Sequence, residues 1–153
     1  MTGKADFTED EWKELREAPT SAGMVVIQAD RGGTIRESFS LAKAYTEARA
    51  HHGASQLLDD IVSEKPEVDR ARAGSPEELR SRLLQNIRDA IALLEQKAAP
   101  EELEEYRRFI MSVANRVAEA RREGFMGMSG DRVSDEERQA LAEIAEAAGA
   151  PAA

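Results

Sequence analysis

The chain has 153 residues, with 30 acidic and 21 basic side chains, a net charge of −9, and 41% hydrophobic and 33% charged residues. That length suits one ordinary domain with a sizeable core, and the composition is that of neither a membrane protein nor an obviously disordered or low-complexity chain. The absence of cysteine excludes a disulfide framework, a thiolate nucleophile, a zinc finger and an iron–sulfur centre.

Helix start signals recur along the chain. Thr8-Glu9-Asp10-Glu11 reads as a capping box, in which the hydroxyl accepts from the third amide and Glu11 reaches back. Helices are expected over about 8–17 and 20–29. A second box, Thr34 to Glu37, opens a helix over about 34–51, with Ile35, Phe39, Leu41 and Ala42 as its buried side. A short helix over about 54–63 follows. Residues 64–74 (EKPEVDRARAG) hold Pro66 and Gly74, balanced charge and Val68 as the one large apolar residue. They read as a surface connection, long for a compact domain and so either mobile, the preferred reading, or functional.

Ser75-Pro76-Glu77-Glu78 opens the next helix, over about 76–97, with proline pre-set for the first helical position. Leu79, Leu83, Ile87, Ala90, Ile91 and Leu94 share one of its faces, widened by Leu84. Ala99-Pro100-Glu101-Glu102 starts a helix over about 100–122, where Leu103, Tyr106, Ile110, Val113 and Val117 form one stripe. A loop of about two residues makes these two helices an antiparallel hairpin. Ser134 to Glu137 caps a last helix over about 134–148. No segment alternates with period two, so the expected fold is all-α: one bundle of about seven helices in a single domain spanning 1–153.

Charge and targeting narrow the partners. The arginine pairs Arg107-Arg108 and Arg121-Arg122 lie in glutamate-rich surroundings, so no basic patch suits nucleic acid. The opening MTGKADFTEDEW lacks the apolar run of a secretory signal, and apolar stretches such as Met24 to Ile27 are far too short for a membrane span. A cytoplasmic protein is expected.

Two segments echo one another. Gly32 to Glu37 and Gly130 to Glu137 each run from a Gly-containing loop through an aliphatic residue and a capping box into an Ala-rich helix. This weak internal repeat reads either as duplication or as two junctions using the same capping chemistry. Val25 to Thr34, an aliphatic helix ending in Ala29-Asp30 before a Gly-containing turn, resembles the Ala-Asp-Gly junctions of the TerB-like tellurite-resistance family. Gly124 to Glu137 supplies a second junction of related form, and the paired arrangement is similar to that family's internal repeat. The resemblance implies an all-α bacterial cytoplasmic protein linked to stress response, with divalent metal held by acidic loop residues. Asp30 and Asp131, one from each junction, are the candidate ligands. Oxygen-only ligands favour calcium or magnesium over zinc.

Other motifs have plainer readings beside functional ones. His51-His52-Gly53 offers a metal ligand or a base near Asp59 or Asp60, but histidine in a last turn also suits the negative end of a helix. The acids at 6–11, Asp59-Asp60 and 131–136 fit no EF-hand spacing and belong where helix first turns attract acids. Gly124-Phe125-Met126-Gly127-Met128-Ser129-Gly130 lacks the Gly-Lys-Ser/Thr ending of a P-loop; its apolar residues either form an adaptable contact surface or fill the core. Trp12 reads as a core anchor. No nucleophile or metalloprotease motif occurs. The functional expectation is a non-enzymatic module that binds a protein partner, itself or a divalent cation. A structural subunit with a self-association face and a carboxylate-dependent enzyme are the alternatives.

Overall fold

A computed structural model describes residues 2–29, 35–51, 55–69, 74–124 and 135–150. After a 3-10 turn at Lys4–Asp6 come α1 (Glu9–Ala29), α2 (Ile35–Ala50), α3 (Gln56–Ser63), α4 (Pro76–Lys97), α5 (Pro100–Gly124) and α6 (Asp135–Ala148). There is no strand among the described residues, and no helix is long and apolar enough to cross a membrane. The all-α bundle expected from periodicity is the fold observed.

Local chemistry explains the helix starts. The Glu11 amide donates to the Thr8 hydroxyl at 3.1 Å, and the Thr8 amide donates to the Glu11 carboxylate at 2.9 Å, the reciprocal pair of a capping box. Ser55 and Ser75 accept from the Leu58 and Glu78 amides at 3.3 and 3.1 Å. At α5 a hydroxyl cap is missing, but the Glu102 carboxylate still accepts the Ala99 amide at 3.1 Å. Thr34 and Ser134, the expected caps of α2 and α6, lie outside the described residues. At its far end α6 closes with Gly149 at φ +68°, while the Ala150 amide donates to the Ala145 carbonyl at 2.9 Å.

The first two expected helices are one. α1 runs unbroken through Pro19. Proline has no N–H to give the Leu15 carbonyl four residues back, which ordinarily breaks or kinks a helix. Here the Tyr106 hydroxyl of α5 donates to that carbonyl at 2.7 Å. The stretch around the proline is also fully enclosed, with Ala18, Thr20, Ser21 and Ala22 at 0% exposure. Tertiary packing thus supplies what the local sequence lacks.

The core lies between α1, α4 and α5, with α2, α3 and α6 packed around them. The α5 stripe from Leu103 to Val117 is buried as expected, as is the α4 face from Leu83 to Leu94. On α2 the buried side is Leu41, Ala44 and Tyr45, whereas Ala42 is exposed; the side chains of Ile35 and Phe39 lie outside the described residues. Tyr45 meets Phe109 edge-on at 5.1 Å between ring centroids. Trp12 is an anchor as expected, nearly buried against Phe7 at 5.9 Å, with its indole N–H donating to Glu64 at 3.1 Å.

Candidate functional site

Asp30 and Asp131 both lie outside the described residues, as do His52 and the 125–130 segment. The helices that flank the two junctions are described, and their directions follow from specific contacts. Tyr106 meets Leu15, while a Cβ on Gly23 would stand 3.5 Å from Val113 and 3.4 Å from Val117, so α1 and α5 run parallel. Leu41 faces Gly23 and Tyr45 faces Phe109, so α2 returns antiparallel to both. The Gln28 amide donates to the Pro76 carbonyl at 2.6 Å, placing the start of α4 beside the end of α1. Arg80 pairs with Glu143 at 2.8 Å and Arg107 donates to the Ala148 carbonyl at 2.8 Å, so α6 also starts from that side. The ends of α1 and α5 and the starts of α2, α4 and α6 therefore share one end of the bundle.

The other candidates have structural employment. His51 is exposed, and its Nδ1 sits 2.9 Å from the Glu47 carbonyl one turn back, as a histidine closing a helix would. Asp60 accepts the Lys4 amide at 3.0 Å, Asp6 accepts the Gly3 amide at 2.8 Å, and Glu11 pairs with Lys97 at 2.9 Å. Among the described residues no group of three or more His, Cys, Asp or Glu is arranged to hold a metal ion.

Two features escaped the sequence reading. Residues 64–69, expected to be a mobile connection, are half-buried along α1 apart from Lys65, and side chains from three helices grip them. Arg16 donates to the Lys65 carbonyl at 2.6 Å and pairs with Glu64 at 3.2 Å and Glu67 at 3.6 Å. The buried Thr20 hydroxyl lies against the Glu67 carbonyl as well as its own Glu17 carbonyl. Asp69 accepts from Arg82 at 3.1 Å and from Asn86 at 2.9 Å, and Asn86 also donates to Ser21 at 3.2 Å. Arg49 reaches the Val62 carbonyl just upstream. Lys4 joins Glu64 at 2.6 Å; that bond first, then those of Trp12 and Arg16, hold the Glu64 carboxyl below its ordinary range despite some desolvation.

The second feature is a lock between residues distant in sequence. The Thr2 amide and hydroxyl both donate to Glu102 at 2.9 Å, beside the bond from Ala99. Burial pushes the Glu102 carboxyl upward, but the bonds from Thr2 and Ala99 outweigh it and the net shift is downward. The signal in sequence was half-visible, because Glu102 occupies the reach-back position of a capping box; its pairing with Thr2 had none.

No family model, curated protein or solved structure matches the chain.

Proposed function

We propose that the protein is a non-enzymatic helical binding module of the TerB-like kind, working in the cytoplasm in response to metal-oxyanion stress such as tellurite. Its working end is the one shared by the helix termini that flank the two Gly-containing junctions in sequence. The supporting observation is the shared end of the helices that flank residues 30–34 and 125–134, argued above from the Leu15–Tyr106 and Gly23–Val117 contacts. Asp30 and Asp131 follow and precede those flanking helix ends in sequence, and two carboxylates suit a hard cation, calcium or magnesium.

Affinity is expected to be weak. Arg31 adds a competing positive charge beside Asp30, and Met128-Ser129 stands where a second Ala-Asp would provide another oxygen. A Kd of about 10⁻⁴–10⁻³ M follows, as in low-affinity calcium modules. At a tenfold excess over Kd, binding stabilises the fold by about 1.4 kcal/mol. For a domain of this size that raises Tm by about 3–6 °C. The test is a thermal melt in 10 mM calcium or magnesium, repeated with Asp30→Asn and Asp131→Asn. The expected result is a rise in the wild type that is lost in both variants. An unmoved Tm removes the cation and leaves a protein partner as the ligand of this end, whereas a rise that survives both substitutions places the ion elsewhere.

A further inference from the structure

Residues 64–69 are held as an extended peptide is held by a receptor. Contacts to the Glu64, Lys65 and Glu67 carbonyl oxygens are ones that any sequence would offer. Contacts to the Glu64, Glu67 and Asp69 carboxylates are ones that only an acidic sequence offers. In a protein of net charge −9, Arg16, Arg49 and Arg82 converge on this one segment, Arg49 through the Glu64 carbonyl at 3.5 Å. We propose that the channel between α1 and α4 is a recognition groove for an extended acidic peptide, and that residues 64–69 are its displaceable occupant in cis. This reading does not rest on the cation at the junction end.

Displacement is within reach because of how the segment is held. It carries no helix or strand of its own. Its ion pairs keep some contact with solvent, with Arg16 and Glu64 side chains 19% and 26% exposed and Arg82 and Asp69 30% and 11%. Segments of this type open locally at far lower cost than global unfolding. A trans peptide of the same pattern would remake every bond the groove gives up. In the intact chain it competes with a tethered copy at an effective concentration of order millimolar, so its apparent affinity is reduced by the fraction of grooves that are open.

The probe is a blocked peptide of sequence Glu-Lys-Pro-Glu-Val-Asp, titrated against the full chain and followed by the emission of Trp12, the single tryptophan, whose indole donates to Glu64. Three proteins are compared: the wild type, Asp69→Asn, and Glu64→Gln with Asp69→Asn. These changes loosen the occupant and leave Arg16, Thr20, Arg82 and Asn86 in place. The expected result is an apparent Kd at least tenfold tighter for the loosened chains, with emission returning toward that of the wild type. Arg82→Glu in the Asp69→Asn background should abolish the gain, as should a peptide with lysine at all three acidic positions. Binding to Asp69→Asn no tighter than to wild type, or equal binding of acidic and basic peptides, overturns the proposal. The single variant decides the matter if the double one does not fold.

Discussion

Pro19 and Tyr106 form a pair that neither helix explains alone. The proline leaves the Leu15 carbonyl without its helical donor, and the Tyr106 hydroxyl takes that place at 2.7 Å in an interior where Tyr106 is 0% exposed. Tyr106→Phe should therefore cost about 1–3 kcal/mol, the penalty of a buried carbonyl left unsatisfied. Pro19→Ala restores an N–H to that carbonyl, so the same Tyr106→Phe change should cost less in the Pro19→Ala background. Urea melts of the four proteins in this cycle measure the coupling; additive effects would mean that the hydroxyl does not substitute for the missing amide. Proline at 19 reads in sequence as a helix boundary, and nothing nearby announces a phenol 87 positions further on. The α5 stripe, by contrast, was legible because burial there follows the helical period, and Tyr106 itself stood in it.

At the scale of elements, α1 and α5 approach closely where α1 has no side chain. A Cβ on Gly23 would stand 2.8 Å from Leu41 Cδ2, 3.4 Å from Val117 Cγ2 and 3.5 Å from Val113 Cγ1. The nearest atom is the tip of a flexible leucine, and alanine is favoured over glycine in a helix by up to about 1 kcal/mol. Gly23→Ala is thus expected to lie within about 1 kcal/mol of wild type. Gly23→Leu must push α1 off α5 and should lose about 2–3 kcal/mol by overpacking, read as a lower urea midpoint with unchanged slope. Helices with caps and stripes were legible in the sequence, but the 64–69 segment was not. Its partners Arg16, Thr20, Arg82 and Asn86 look like ordinary surface positions until α1 and α4 are side by side. Composition alone favours a solvated linker there; long-range polar contacts decide otherwise. The candidate site is legible only as a pair of similar junctions, since Asp30 and Asp131 lie outside the described residues.

For the molecule as a whole, charge is distributed so that acidification has two opposing effects. Glu102 ties residue 2 to the α4–α5 turn, and its carboxyl is held below the ordinary glutamate value. A group depressed on folding stabilises the protein above its unfolded value, about 4.3, and loses that contribution as pH falls through the lower folded value. Glu14 is the reverse case. Desolvation first, then the charges of Asp89, Glu11 and Asp10, raise its carboxyl. Its contribution is fully present below the unfolded value and is lost as pH rises through the folded one. At pH 7, Glu102→Gln should therefore lower Tm, by the equivalent of about 1–2 kcal/mol for charge-assisted bonds to a buried group. Glu14→Gln should raise Tm slightly, by a few tenths of a kcal/mol for an exposed position. Melts from pH 7 to pH 3 should show the Glu14 gap closing first, by relief of repulsion as pH falls through its raised value toward about 4.3, and the Glu102 gap closing below about 4.3 from a loss in the wild type. A Glu102→Gln deficit that stays constant to pH 3 would mean that the lock depends on the shape of the side chain rather than its charge.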